Sequence, residues 1–429
     1  MEVVFSRCCG MDVHQASVVA CALLDEGGRK PKKVVRTFPT MRQGLEQLRD
    51  WLASLAVTHV TMEGTGVYWR PVYSTLEGHV DIALVNARHV KALQGRKTDV
   101  NDAEWLASLL RHGLLRKSFV PAKDVRAIRD LCRYRRMLVQ SQTTEKNRII
   151  KLLEIIGIKL ATVASDVFGT SGMLMLRAIA AGSCTAEQIA PLAKGRLRSK
   201  LPELRLALDV LVEEHHRVML SDQLARLDQT AAEVARYDSL LEKQVAPYEE
   251  SLALLCTIDG IGRIAAIEIF AEIGPDVASF PSAAQFASWA GTCPGQHQSG
   301  GKSFSTRRRK GNPYLQSILV EASLAATRKK ATYFTDKYRR LKSRRGSMRA
   351  LFAIAHKLAC AVHRVLQTHE PYRDLGGNYL DLRHKRSTAH ALAKRLQSLG
   401  YDQNNVVALF ERLKPVASTT QLSPEISEG

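Results

Sequence analysis

The order of segments in the first ~120 residues is the feature that most constrains the fold of this chain. Three strand-like runs are followed by a helix, a strand, a second helix, another strand and a third helix. Such alternation predicts an α/β domain. The predicted strands are 3–12, 16–25, 33–38, 57–62 and 80–85, and the predicted helices are 43–55, 66–76 and one that carries Asp99 and Asp102.

Four acidic residues lie where this order could gather them. Asp12 ends the first strand, Glu63 ends the fourth, and Asp99 and Asp102 are three apart at a helix start, so both project from one helix face. Clustered carboxylates repel one another unless divalent cations lie between them, and Mg²⁺ or Mn²⁺ suits oxygen ligands. Because the element order is that of a ribonuclease H-like domain, we expect a metal centre for phosphoryl transfer on nucleic acid. The alternative is that these acids are surface residues and helix caps.

An ATPase of the actin or sugar-kinase type is another ribonuclease H-like option, because its first strand also ends in Asp. Such enzymes need a glycine-rich phosphate loop directly after that residue. The sequence Asp12-Val13-His14-Gln15 contains no glycine. The sequence therefore favours the metal centre.

Composition points to a polyanionic partner. The chain has 429 residues, enough for two or three domains, and its 62 Lys and Arg against 42 Asp and Glu give a formal net charge of +20. Nucleic acid explains this excess better than a membrane surface does. The eight cysteines form no C-x-x-C pair, and the sequence shows neither a signal peptide nor a membrane span. We therefore expect reduced thiols and a cytoplasmic, nucleoid-associated setting.

A basic helical region is predicted from residue 121 to 245. Its first helix has an apolar stripe with near-heptad spacing, and a second long helix is expected after Pro202, which suggests an antiparallel hairpin or a dimerising coiled coil. The other faces of the first helix are basic and are either a solvated surface or a nucleic-acid face. The residues concerned are Arg126, Arg129, Arg133, Arg135, Arg136, Lys146 and Arg148.

Residues 246–374 are predicted to form a mainly helical domain that begins with a helix, a glycine hairpin and a second helix. Backbone N–H groups at Gly260 and Gly262 could bind a phosphate, although ordinary tight turns use the same residues. Ser299 lies in a glycine-rich loop, where a serine is ordinarily structural. Nucleic-acid contacts are also predicted for the basic residues Lys302, Arg307, Arg308, Arg309 and Lys310. Residues 375–429 are predicted to be a partly disordered extension.

Several motifs together resemble one family. Gly10-Met11-Asp12-Val13-His14, Met62-Glu63-Gly64-Thr65-Gly66 and Lys97-Thr98-Asp99-Val100-Asn101-Asp102 resemble the acidic motifs of the DEDD transposases of IS110 insertion sequences, which are related to pilin-gene-inverting recombinases. Gln298-Ser299-Gly300 with Gly311-Asn312 resembles the C-terminal transposase domain of this family. The resemblance covers most of residues 3–375. Gln15 and Gly64 depart from the common lysine and alanine, but neither is a predicted ligand.

The resemblance implies a RuvC-like domain, residues 1–120, that holds Mg²⁺ through Asp12, Glu63, Asp99 and Asp102. It also implies that the C-terminal domain supplies Ser299 as a nucleophile. Family members are directed by a structured bridge RNA that pairs with donor and target DNA, and they act as dimers and tetramers with an active site composed from two protomers. A phosphoserine intermediate would keep the phosphodiester energy, so strands could be rejoined without ATP.

The sequence thus predicts an RNA-guided, Mg²⁺-dependent serine recombinase of a bacterial mobile element. One alternative is a RuvC-like nuclease that cuts Holliday junctions with metal-activated water and does not use Ser299. Another is a nucleic-acid-binding protein without catalytic activity. A covalent protein–DNA adduct would distinguish the recombinase from the nuclease. Unchanged recombination by Asp12→Asn and Asp102→Asn variants in the presence of Mg²⁺ would favour the binding protein.

Overall fold

The structure is a computed structural model that describes residues 2–27, 30–64, 66–87, 90, 102–182, 185–295, 297–300, 302–305, 310–402 and 405, with the backbone alone at 297–299 and 302–305. The described chain falls into two compact units, one up to Ala122 and one from Lys123 onwards. None of the helices in these ranges is long and apolar enough to cross a lipid bilayer.

The first unit is a five-stranded mixed sheet with the strand order β3-β2-β1-β4-β5. Strands β1, β2 and β3 pair antiparallel, whereas β4 pairs parallel with both β1 and β5. The predicted order of elements is confirmed, and the ends differ by a few residues. The elements are β1 Arg7–Val13, β2 Ser17–Leu24, β3 Lys32–Pro39, α1 Arg42–Ser54, β4 His59–Glu63, α2 Trp69–Leu76, β5 Asp81–Val85 and α3 Asp102–Arg111.

Helices cover both faces of this sheet. Alternate residues of a strand point to opposite faces, so Cys9 and Met11 of β1 lie in the core that also contains buried leucines of α1 and α2. Cys8 points to the other face and packs with Ala103 and Ala107 of α3. Both cysteines are fully buried, and burial raises the pKa of the Cys8 thiol to about 12. The thiols of this sheet are therefore core groups.

Gly10 allows α3 to lie directly on β1. A Cβ atom at this position would lie 2.1 Å from the carbonyl oxygen of Ala103 and 2.3 Å from the amide nitrogen of Ala107. Gly10→Ala is therefore expected to displace the helix and to lower the free energy of unfolding of this unit by about 1–3 kcal/mol, measured by urea unfolding. Gly64→Ala is the matched control, because a Cβ there would meet only the Leu84 side chain at 3.4 Å. Equal stability of the two variants would contradict this account.

The second unit begins with two long helices that pack against each other. The ring of Tyr134 in the first helix packs against that of Tyr237 in the second, with centroids 4.9 Å apart, and Glu145 pairs with Arg226 at 3.3 Å. Because one residue number rises as the other falls, the helices are antiparallel within one chain. The elements of this half are α4 Lys123–Ile156, α5 Leu160–Val163, α6 Thr170–Ala181, α7 Ala186–Ile189, α8 Leu201–Leu208 and α9 Glu214–Val245, with 3-10 helices at Ala190–Leu192 and Gly195–Lys200.

The start of the second long helix differs from the prediction. Pro202 lies in the short helix α8, and α9 begins only at Glu214. The residues between the two helices include Val210 and Val212, which pack on the apolar core beneath α4 and α9. A continuous helix would give up this arrangement, so burial of the two valines accounts for the break.

The rest of the second unit is mainly helical, as predicted. A glycine hairpin joins α10 to α11, and Asn312 caps α13 by accepting hydrogen bonds from the amides of Tyr314 and Leu315 at 3.0 and 3.2 Å. The elements are a 3-10 turn Ala246–Tyr248, α10 Glu249–Cys256, α11 Arg263–Ile273, α12 Ala283–Trp289, β6 His297–Ser299, β7 Lys302–Ser305, α13 Pro313–Ala326, α14 Tyr333–Arg345, α15 Ser347–Thr368, α16 Tyr379–Arg383 and α17 Lys385–Ser398.

Candidate functional site

Asp12 and Glu63 lie at the carboxyl ends of two neighbouring parallel strands. The register places Met11 of β1 beside Met62 of β4, and each carboxylate follows its methionine by one residue. Residues in register on parallel strands point to the same face of a sheet. Asp12 also shares its face with Gly10, two residues earlier, and this is the face that α3 covers. The two side chains are therefore neighbours on one face at one edge of the sheet.

Asp102 approaches the same edge from helix α3. The carbonyl of Ala103 lies over Gly10, and the carbonyl of Ala107 accepts a hydrogen bond from the Cys8 thiol at 3.6 Å. The helix therefore runs antiparallel to β1, so its amino-terminal residue Asp102 points toward the strand end that carries Asp12. Three of the four predicted acids, Asp12, Glu63 and Asp102, are thus brought to one face by the sheet and by helix α3.

These three carboxylates are not drawn tightly together. Within the described ranges, three potential ligand atoms come within 4.8 Å of one another only at Glu213, His215 and His216, at the start of α9. Asp99 lies outside the described residues, so the predicted pairing of Asp99 with Asp102 on a helix face stays a prediction. Asp12 is partly exposed and lies 3.1 Å from Nε2 of His14, a neighbour that the sequence analysis did not single out.

Ser299 is the last residue of β6, at the turn of a short β-hairpin. It pairs with Lys302, and the φ angle of Gly300, which follows Ser299, is +57°, in the left-handed region that favours glycine. The glycine-rich pattern around Ser299 predicted a loop here. A Gly-Gly pair between two short polar runs is a hairpin signal, so the strands could have been recognised.

The two ends of the segment that carries this hairpin meet at a pair of glycines. A Cβ atom on Gly311 would lie 2.3 Å from the amide nitrogen of Gly291, so only glycine allows the approach. The Asn312 amide donates to the carbonyl of Trp289 at 2.9 Å, and Gln316 Nε2 donates to the carbonyl of Gly291 at 2.5 Å. The base of the hairpin segment is therefore closed by backbone contacts and by the Gln316 side chain.

Four of the predicted nucleic-acid arginines face the interior of the second unit. The side chains of Arg129, Arg133, Arg135 and Arg136 are between 12% and 27% exposed. Each contacts a carboxylate of helix α11, either Glu272 or Glu268, at a distance between 2.9 and 3.7 Å. The structure thus gives these arginines internal partners, and their contact with nucleic acid stays a prediction.

The two carboxylates of α11 are buried charges that the sequence analysis missed. Glu272 is 2% exposed and Glu268 is 8% exposed. Burial raises the pKa of Glu268, although Arg136 and Arg135 oppose the shift. Burial by itself would lower the pKa of Arg133, but the hydrogen bonds that Arg133 donates to Glu272 raise it. An unpaired buried charge is costly, so each acid and its arginines depend on one another.

The other predicted nucleic-acid residues lie in varied surroundings. Arg148 is exposed and pairs with Glu145 at 2.9 Å, and Lys146 lies over the Phe168 ring at 5.5 Å. Gly260 packs against the backbone of α13, where a Cβ would lie 2.3 Å from the Ala322 carbonyl oxygen. Arg126 has an interaction partner, Gly262 is the N-cap of α11, and Lys302 lies in β7. Lys310 is exposed. The last three predicted residues, Arg307, Arg308 and Arg309, lie outside the described residues.

A histidine between two cysteines lies next to the hairpin segment. Nδ1 of His356 is 3.6 Å from the Cys293 sulfur, and its Nε2 is 3.8 Å from the Cys360 sulfur. Burial, with the nearby Lys357 and Lys337, lowers the pKa of His356. The lowered pKa favours the neutral imidazole, in which one ring nitrogen donates and the other accepts.

Comparison with known proteins finds transposase family models that match parts of both units. A family model for DEDD transposases of the IS110 type, described as "Transposase", matches residues 9–158. A second model, "Transposase IS116/IS110/IS902 family", matches residues 252–339. Together they cover more than half of the chain, and they include Asp12, Glu63, Asp102 and Ser299.

Full-length relatives agree with these matches. The chain is 27% identical over 374 residues to "Transposase for insertion sequence element IS1111A" of Coxiella burnetii, covering 85% of this chain and 90% of that protein. It is also 27% identical over 286 residues to "Probable family 20 transposase" of Pseudomonas aeruginosa, covering 66% of this chain and 75% of that protein. These matches do not support a binding protein without catalytic activity. The chain belongs to the IS110 family of DEDD transposases and is a DNA transposase.

Proposed function

We propose that this transposase is a metal-dependent serine recombinase with a ribonuclease H-like, or RuvC-like, first domain. The observation that carries the proposal is that Asp12, Glu63 and Asp102 lie on one face of the sheet, at the carboxyl ends of β1 and β4. The strand order β3-β2-β1-β4-β5, with three antiparallel strands followed by parallel ones, supports the ribonuclease H-like assignment. Asp99 is the fourth proposed ligand.

The donor set at this edge suits a hard divalent cation. Asp12, Glu63 and Asp102 offer only carboxylate oxygens, and Asp12 is accessible to a phosphate. Mg²⁺ or Mn²⁺ bound there would neutralise charge on the scissile phosphate and favour ionisation of the attacking hydroxyl. The four carboxylates would orient the phosphate by fixing the position of the ions.

Ser299 is the proposed nucleophile. Its Oγ would attack the phosphorus of a DNA phosphodiester and lose its proton to a nearby base, while the bond from phosphorus to one deoxyribose oxygen breaks and that oxygen leaves as a hydroxyl. A deoxyribose hydroxyl of another strand would then attack the phosphoserine and release the serine. One phosphodiester bond is broken and one is made, so no ATP is needed.

A guide RNA and a homo-oligomer complete the proposal. The net charge of +20 supports binding of both DNA and RNA phosphates, and exposed basic side chains such as Arg148 and Lys310 are available for it. If base pairing by the guide RNA selects the DNA sequence, the protein needs to recognise only the shape and charge of the nucleic acids. Dimers or tetramers would bring together the domains that supply the carboxylates and the serine.

The test is to express the full chain with the non-coding ends of its own element and to sequence the RNA that purifies with it. We expect one enriched RNA whose loops are complementary to donor and target DNA. With Mg²⁺ and both DNAs, the complex should form a protein–DNA adduct that survives denaturant and is removed by protease. Cut DNA with free ends and no adduct would instead support the nuclease that uses metal-activated water.

A further inference from the structure

The carboxylate of Glu272 joins three parts of the second unit. Its oxygens accept hydrogen bonds from Nε and Nη2 of Arg133, both at 2.9 Å, and from Nδ2 of Asn312 at 2.6 Å. Arg129 donates to the carbonyl oxygen of the same glutamate at 2.6 Å. One buried acid therefore connects helix α4, helix α11 and the start of α13.

Asn312 is where this network reaches the hairpin segment. It follows Gly311 directly, and Gly311 is the residue that closes the base of the segment against Gly291. The Asn312 side chain uses its oxygen to cap α13 and its nitrogen to bond Glu272. Both hydrogen-bonding ends of the Asn312 amide therefore have partners, and Asn312 directly follows Gly311 at the base of the hairpin segment.

The arginine side of the network is equally constrained. Arg133 makes a two-point contact with Glu272, and its guanidinium lies 4.1 Å from the centre of the Tyr314 ring, in the first turn of α13. A planar guanidinium that pairs and stacks at once has little freedom to move. Since Glu272 is nearly inaccessible to water, these contacts are stronger than the same pairs would be on the surface.

We propose that Glu272 is a positioning residue that, through Asn312 and Arg133, holds the base of the segment bearing Ser299 in a fixed position against helix α4. This inference rests on the proposed function of Ser299 as the nucleophile. Attack on phosphorus needs the oxygen in line with the leaving group, and small misplacements of a reacting group are costly in rate. Glu272 affects the reaction only by fixing the position of the backbone that carries Ser299.

The experiment compares three variants of the full chain. Glu272→Gln keeps the shape but removes the charge, and Asn312→Ser keeps a capping oxygen for α13 but cannot bond Glu272. Glu268→Gln is the matched control, because Glu268 lies one turn earlier on α11, is also buried and pairs with Arg136 at 3.1 Å, yet has no hydrogen bond to Asn312. Thermal unfolding of all three establishes that they are folded.

Two measurements are made on each variant. Hydrogen exchange of the amides in residues 291–312 is followed without DNA, and single-turnover formation of the DNA adduct is followed at saturating DNA. For Glu272→Gln and Asn312→Ser we expect faster exchange and an adduct rate lowered by roughly tenfold to a hundredfold, with the Kd for DNA changed by less than about twofold. Glu268→Gln is expected to leave both the exchange and the rate close to wild type.

The proposal is overturned if the Glu272 and Asn312 variants exchange like wild type, or if Glu268→Gln has the same effect on both measurements. If Glu272→Gln does not fold, Asn312→Ser decides the question alone, since its cap is retained. If the adduct forms without Ser299, the proposed nucleophile is wrong, and hydrogen exchange still tests whether Glu272 holds the hairpin. The two failures are therefore distinguishable.

Discussion

Ser299→Ala is expected to abolish the covalent protein–DNA adduct and to lower strand exchange by at least about a thousandfold, because removal of a nucleophile leaves only the residual effect of binding and charge. The hydroxyl is a small part of the surface that meets DNA, so the Kd for DNA should change by less than about twofold. Gel separation of the adduct under denaturing conditions gives the first quantity, and a filter-binding assay gives the second.

Ser303→Ala is the control for this prediction. Ser303 lies on the opposite strand of the same hairpin, paired with Gln298, so its replacement tests whether any serine lost from the hairpin has the same effect. It should react like wild type. An adduct that persists in Ser299→Ala would identify another nucleophile, and unchanged DNA cutting by that variant would favour the nuclease.

Asp12→Asn and Glu63→Gln are each expected to slow adduct formation by about a hundredfold or more at a fixed Mg²⁺ concentration. Each change removes one negative charge from the proposed metal site while keeping the size of the side chain. Part of the lost rate should return at higher Mg²⁺ or with Mn²⁺, because weakened metal binding is offset by mass action. The rate measured across a metal titration provides the test.

Asp81→Asn is the matched control for the metal prediction. Asp81 begins β5 and is paired in register with His59 at the start of β4, so it lies at the opposite end of the same strands from Glu63. This substitution should leave the metal dependence unchanged. If it shifted the titration as much as Asp12→Asn does, the effect would come from general charge and not from a site at the carboxyl ends.

The first unit was largely predictable because its signals are local. Short apolar runs predicted the strands, and the spacing of Leu45, Leu48 and Leu52 predicted the helix that covers them. The positions of Asp12 and Glu63 at strand ends followed from the same pattern. What the pattern could not supply was Gly10 as the contact point for α3, since that role depends on a helix that begins more than ninety residues later.

The basic helix shows why prediction was less successful in the second unit. Arg133 and Arg136 are arranged on α4 as they would be on a nucleic-acid face, and nothing near them in sequence carries the opposite charge in comparable number. Their partners Glu272 and Glu268 are 139 and 132 residues away. Charge patterning along one helix cannot reveal such partners.

The sequence by itself determined the kind of chemistry and the family of this protein, because acids at strand ends, a serine between glycines and a basic composition are properties of residue type and local order. The tertiary structure alone decided which charged side chains are buried and paired with one another inside the fold. Burial makes an unpaired charge costly, so Arg133 and Glu272 must find each other across the chain. Only that long-range pairing places the Glu272 carboxylate beside Asn312, next to Gly311 at the base of the segment that carries Ser299.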